Sequence, residues 1–181
     1  MSANDRGATP DRPDDGRSSE YLAGGAETFE AVFAREYAGM VRLAYLMIGG
    51  QGSTHDAEGV VQHAFADVYR QGPQAYTGAY VRRSVINRSR DHTRRLARWH
   101  RRLSTLEPSG LVPAASGERV DVIDVLRRLS ARQRAAVVLR YYGDLSIDDI
   151  AEALALPPNT VKSLIHRGLA RLRREIGEPD Q

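Results

Sequence analysis

Five histidines (His55, His63, His92, His100 and His166), scattered carboxylates and no cysteine are the raw material for catalysis or metal binding. His55 and His63 stand eight apart, two helical turns, so two imidazoles could share one face. No third ligand follows at helical spacing, and capping or solvated histidines explain them better. No enzymatic activity, metal or cofactor is expected. Without cysteine there is no thiol chemistry, no disulfide framework and no cysteine-ligated zinc. The arginines have more to offer. Residues 80–102 hold nine of them against Asp91 alone, net +8, and residues 158–176 hold five basic residues against Glu175, net +4. A guanidinium grips phosphate and guanine edges through two parallel N–H bonds. One such segment would read as a solvated helix face. Two, in a chain of net charge only +3, point to two separate contacts with nucleic acid.

The elements that must position these residues read as helices. The length of 181 residues and 41% hydrophobic content suit one medium domain or two small ones. The longest uncharged apolar stretch, Leu43–Gly50, is far too short to cross a bilayer, and the acidic N-terminus lacks an apolar signal core. Cytoplasm is the expected location. Residues 1–26 read as a disordered acidic tail, with residues 1–30 at net −4. From the N-cap Thr28, apolar residues recur at helical spacing through Phe29, Val32, Tyr37, Met40, Ala44 and Met47 until Gly49-Gly50. A second helix starts at the capping-box pattern Ser53-Thr54-His55-Asp56, faces inward with Val60, Val61, Ala64, Phe65 and Val68, and breaks at Gly72-Pro73. A third, from about Thr77 to Leu103, carries the arginine block on a thin apolar stripe of Val81, Val85, Leu96 and Trp99. Residues 104–120 read as a flexible linker that spans at most about 55 Å, at about 3.3 Å per residue. Four shorter helices follow, at about 121–129, 131–142, 147–155 and 159–176. The architecture is all-α: two small helical domains, 27–103 and 121–177, on a tether, with a short tail at 178–181.

The sharpest local pattern lies near the C-terminus. Ser146-Ile147-Asp148-Asp149 is a capping box, and Ile150, Ala151 and Leu154 give the short helix a buried face. A tight turn through Ala155-Leu156-Pro157-Pro158 leads to the last helix, with Asn159 as its expected cap. This is the layout of a helix-turn-helix, whose second helix enters the major groove. On a wheel of 100° per residue, Val161, Leu164, Ile165, Gly168, Leu169, Leu172 and Ile176 share one face. Asn159, Ser163, His166, Arg167, Ala170 and Arg174 share the other, flanked by Thr160, Lys162, Arg171 and Arg173. Small Ser163 and Ala170 allow close approach to DNA. Arg167 can reach a guanine edge, and Lys162, Arg171 and Arg173 can hold phosphates.

Three N-terminal stretches stand out as motifs: Val41-Arg42-Leu43-Ala44-Tyr45-Leu46, Asp56-Ala57-Glu58 through Gln62-His63-Ala64-Phe65, and Tyr80-Val81-Arg82-Arg83 through Asn87 to Asp91. Three C-terminal ones follow: Leu129-Ser130-Ala131-Arg132-Gln133-Arg134, Tyr141-Tyr142, and Asn159 through Leu169. In these, over 28–176, the chain resembles the extracytoplasmic-function group of bacterial RNA polymerase sigma factors, which keeps only the second and fourth sigma regions. The C-terminal motif is shared with other regulators; both halves in this order and length are far more specific. The resemblance implies a region 2 bundle (27–103) that binds the β′ clamp of the polymerase core through Asp56, Glu58, Gln62 and His63. It implies that this bundle melts the minus-ten element, holding an extruded base near residues 70–78 with Asn87 beside the pocket. Arg82, Arg83, Arg90, Arg94 and Arg95 would then meet the DNA backbone. Region 4 (121–177) would read the minus-thirty-five element through Asn159, Thr160, Lys162, Ser163, His166, Arg167 and Arg171, and touch the β flap. The family is often held silent by an anti-sigma factor, which makes one a candidate partner.

Gly59 and His63 stand where the family usually has carboxylates, which bears on the strength of core binding. Glycine also costs that helix about 0.5–1 kcal/mol relative to alanine. The other class of regulator, a helix-turn-helix repressor or activator acting without polymerase, would leave the arginine-rich helix and the long tether without a task.

Overall fold

The computed structural model describes residues 27–49, 54–104 and 122–176, so the acidic tail, most of the linker and the last five residues lie outside the described residues. Every regular element among them is a helix: α1 (Phe29–Ile48), α2 (Thr54–Gln71), a short 3₁₀ turn (Pro73–Ala75), α3 (Gly78–Ser104), α4 (Val122–Arg128), α5 (Ala131–Tyr141), α6 (Ile147–Leu154) and α7 (Pro158–Ile176). None is long and apolar enough to cross a membrane. The start of α1 follows from Thr28, whose hydroxyl accepts from the Ala31 amide at 3.3 Å. Its end follows from Gly49, which takes the left-handed conformation at φ 71° and returns its amide to Leu46 and Tyr45.

Helices α1, α2 and α3 pack on one another as a first bundle. Val32, Leu43, Val61, Val68, Val81 and Val85 are fully buried in its core. Arg88 of α3 donates through Nε to Asp67 of α2 at 2.7 Å, and a second ring of interactions joins Phe29, Phe33, Phe65, Tyr69 and Tyr76 edge-on at 4.9–6.1 Å. The expected stripe of α3 holds for Val81 and Val85, leaves Leu96 half-buried and fails at Trp99. Trp99 is 60% exposed, because α3 outruns its partner helices and Ala97 through Arg102 bury nothing.

Helices α4 to α7 form a second bundle around α7, which packs on α4, α5 and α6. Close approach of α5 to α7 is possible because residue 168 is glycine: a Cβ there would stand 2.8 Å from the Val137 Cγ2. Ser130 and Gln133 form a capping box at the start of α5, which sequence reading had not singled out. The bundles also meet each other, α5 on α1 and α6 on α3, so the buried apolar cluster runs through both.

Candidate nucleic-acid interface

The helix-turn-helix is set by its local chemistry. Ser146 accepts from the Asp149 amide at 3.1 Å, and Asp149 Oδ2 accepts from the Ser146 amide at 3.2 Å and hydroxyl at 2.6 Å. These bonds hold the Asp149 carboxyl below its ordinary value, the Ser146 hydroxyl contributing most. Ala155 ends α6 in the left-handed conformation, at φ 51° and ψ 53°. Here the expected cap needs correction: α7 begins at Pro158, one residue before Asn159, so Asn159 lies within its first turn. Proline at the first helical position lacks only an N–H that would have no helical partner, and its φ is already helical. Instead, the Pro157 carbonyl accepts from Thr160 and Val161 at 2.9 and 3.2 Å.

The two faces of α7 divide as the wheel predicts. Val161, Leu164, Ile165 and Gly168 are buried, while Asn159, Lys162, Ser163, His166, Arg167 and Arg171 are exposed and Thr160 is half-buried. Lys162, Ser163, His166 and Arg167 line one shallow concavity. Arg167 folds back and donates through Nε to the Ser163 carbonyl at 3.2 Å. Glu175, the acid of this segment, is ion-paired with Arg128 of α4, which leaves the basic face uncompensated by it.

The arginines of α3 do not form one surface. Arg83 and Arg90 turn toward the second bundle, where Arg83 pairs with Glu152 at 2.9 Å and Arg90 donates to the Ala153 carbonyl at 2.9 Å. Arg82 lines the same crevice as Arg83, against Leu145 and Asp149. Burial, and then repulsion from Arg94, hold the Arg90 guanidinium below its ordinary value. Arg94 is exposed beside Asp91 at 3.7 Å, and Asn87 is exposed farther up the helix. Asn87 stands about 13 Å along the axis from the first residue of α3, at 1.5 Å per residue, which is its offset from the 70–78 loop.

Arg95 lies on another side, in a groove between α2 and α3 lined also by His55, Asp56, Gly59, His63, Arg88 and His92. Asp56 and His63, seven apart, therefore share one edge of the exposed arc of α2, and Glu58 and Gln62, four apart, share the other. His63 donates its Nδ1 proton to the Gly59 carbonyl at 2.6 Å, since a carbonyl can only accept. His92 is the third histidine that the spacing along α2 lacked. Even so, no group of three or more potential ligands able to hold a metal ion forms among the described residues.

Sequence reasoning missed the residues that join the bundles. Arg134 of α5 is buried and donates Nε to the Met47 carbonyl of α1 at 3.0 Å. Arg127 of α4 donates to the Gly49 carbonyl at 3.1 Å. One signal was available: Arg134 falls on the apolar side of α5, between Ala131 and Val138, where an exposed arginine has no place.

The frame and its outward basic faces are those of a helix-turn-helix DNA-binding protein. Comparison with known proteins narrows the class. Residues 119–172 match the family model for sigma-70, region 4. The RNA polymerase sigma-E factor of Streptomyces avermitilis is 33% identical over 137 residues, 69% of this chain and 73% of the relative. The ECF RNA polymerase sigma factor SigM of Mycobacterium tuberculosis is 32% identical over 177 residues, 94% of this chain and 88% of the relative. Among solved structures, the sigma factor RpoE, co-crystallised with the anti-sigma factor NepR from Bartonella quintana, shares the fold. It gives a TM-score of 0.59 at 19% identity, covering 81% of this chain and 97% of that one. The chain belongs to the extracytoplasmic-function family of RNA polymerase sigma factors, proteins of transcription initiation.

Proposed function

We propose that this sigma factor is a non-catalytic promoter-recognition subunit, working in the cytoplasm on the polymerase core. In this reading α1–α3 are the second sigma region and α4–α7 the fourth. Helix α2 meets the β′ clamp through Asp56, Glu58, Gln62 and His63. Helix α3 meets the minus-ten element, and α7 reads the minus-thirty-five element beside the β flap. The observation that carries the reading is the exposed face of α7, where Lys162, Ser163, His166 and Arg167 line one concavity on a capped helix-turn-helix. Holding a base out of the stack costs a few kcal/mol, and phosphate contacts from the arginines of α3 can offset it. Because part-buried Arg90 is held by α6, its use on DNA requires the bundles to part, whereas exposed Arg83 has only its ion pair with Glu152 to give up. An anti-sigma factor is proposed as a further partner, in line with the NepR-bound state of RpoE.

The test is transcription with purified polymerase core. The chain alone should bind duplex promoter weakly, and core plus chain should initiate at defined promoters. Tight sequence-specific duplex binding by the chain, with no initiation on adding core, would instead make it a polymerase-independent repressor.

A further inference from the structure

Between the bundles lies a cavity of about 360 Å³. Met47 of α1 and Leu154 of α6 give it an apolar wall, and Arg90 and Arg94 of α3 and Arg132 of α5 bring three guanidinium-bearing side chains to its lining. No carboxylate is among the described residues that line it. Arg132 makes no hydrogen bond or ion pair among the described residues, and Arg94 has only the long 3.7 Å approach to exposed Asp91. At Arg90 burial acts first and repulsion from Arg94 next; Asp91 pulls the other way, and Arg132 adds a smaller repulsion. Three cations gathered at a concave seam without a lining anion leave a charge to be met.

Ser89 adds an independent observation. It lies on the same lining, is 1% exposed, and its hydroxyl has no hydrogen-bond partner among the described residues. Its neighbour Thr93 has satisfied its own hydroxyl on the Ser89 carbonyl at 2.9 Å, whereas the Ser89 hydroxyl has no partner among the described residues. Buried polar groups are nearly always paired, and an orphan beside a cavity calls for an occupant.

We propose that this cavity is a binding site for a small organic phosphate. Its phosphate is held by Arg90, Arg94, Arg132 and the Ser89 hydroxyl, and its apolar body rests on Met47 and Leu154. A phosphate suits the site because its charge approaches −2 and its oxygens accept from several guanidinium N–H groups at once. The volume admits a body the size of one aromatic ring, within the usual range of ligand pockets. The ligand touches residues of both bundles and therefore favours their closed arrangement. Arg90 and Arg94 are also among the arginines proposed to meet the minus-ten backbone, so a ligand here and promoter contact by these two side chains exclude each other.

Phenyl phosphate is the probe, titrated calorimetrically into the full chain beside inorganic phosphate and benzyl alcohol. One phenyl phosphate should bind per chain, at least tenfold more tightly than inorganic phosphate, with no heat from benzyl alcohol. Arg132→Gln should weaken it at least tenfold, whereas Arg98→Gln, an equal charge loss on exposed α3 outside the cavity, should leave it unchanged. Ser89→Ala should weaken it several-fold while the unliganded melting temperature holds or rises, which separates loss of a ligand contact from loss of fold. Equal losses from Arg98→Gln and Arg132→Gln would mean diffuse attraction of any polyanion, DNA included, and would overturn the site. So would equal affinity for phenyl and inorganic phosphate, or unchanged affinity in Ser89→Ala.

Discussion

Arg134 carries a charge into the core without a carboxylate to meet it. Its solution is carbonyl oxygens: Met47 at the end of α1, with longer approaches to Leu126 and Leu129 at the end of α4, at 3.4 and 3.5 Å. Helix C-termini offer unpaired carbonyls and the negative end of the helix dipole, so the cation and the helix ends answer each other's needs. Burial holds the guanidinium below its ordinary value, yet an arginine remains protonated at any working pH. Two effects compete in Arg134→Met. Removing a buried charge relieves desolvation, and leaving buried carbonyls unpaired costs about 1–3 kcal/mol. The Leu126 carbonyl keeps the Leu129 amide at 3.2 Å, but those of Met47 and Leu129 lose their donor, so the loss should win, lowering the urea midpoint. A stable Met variant would show that the guanidinium is tolerated rather than needed. On α7 the outcome concerns specificity. Arg167→Ala should cost about 1–3 kcal/mol of discrimination at one upstream base pair if its contact is bidentate to guanine. Arg171→Ala should weaken all sequences and flatten the salt dependence. Quantitative footprinting on a set of upstream sequences tells these apart.

At the scale of the helix, two glycines give opposite expectations for the same substitution. An added Cβ at Gly59 meets nothing within 4 Å, so Gly59→Ala should stabilise α2 by about 0.5–1 kcal/mol. At Gly168 the Cβ would press on stiff, branched Val137, and Gly168→Ala should destabilise despite better helix propensity. Combining it with Val137→Ala should recover part of the loss beyond additivity, readable in thermal unfolding. The cap of α6 has a pH signature. Because the Asp149 carboxyl is held below its ordinary 3.8, its stabilisation is complete above that value and fades as pH falls through the lowered one. Asp149→Asn should remove that part of the acid limb, followed by amide exchange in α6. These elements were largely legible in the sequence. Helical spacing located the α-helices of the described residues, and Thr28 and the Ser146 box marked two starts within a residue. The exposed face of α7 was legible too, because period and charge coincide there. What was not legible depends on other parts of the chain. Trp99 follows apolar spacing but no described residue covers it, and the apolar side of α5 marks Arg134 as buried without telling that its carbonyl partner comes from α1. The grouping of Arg90, Arg94 and Arg132 joins two segments with no sequence relation.

For the molecule as a whole, the question is what holds the bundles closed. Links that cross the seam among the described residues include Arg83 to Glu152, Arg90 to the Ala153 carbonyl, Arg127 to the Gly49 carbonyl and Arg134 to the Met47 carbonyl. Their surroundings rank them. The Arg83–Glu152 pair is 63% and 67% exposed, and such pairs contribute at most about 1 kcal/mol, roughly a fivefold change in the open-to-closed ratio. Arg134 sits in the core, where an unmet carbonyl finds no water to replace its donor. Salt should therefore loosen closure little, since it screens the exposed pair and leaves the buried bonds untouched. The native chain has no cysteine, so Ala66→Cys and Arg173→Cys can carry two dyes, one on each bundle, without competing thiols. Glu152→Lys replaces that attraction by a repulsion of similar size, and it should shift the open-to-closed ratio read from the dye distances by no more than about 25-fold, the square of that factor. Arg134→Met should populate the separated state much further, at a urea concentration where both bundles keep their helical signal. If Glu152→Lys opened the molecule as fully as Arg134→Met, closure would be an electrostatic contact of the surface, and the carbonyl bonds across the seam would be its consequence rather than its cause.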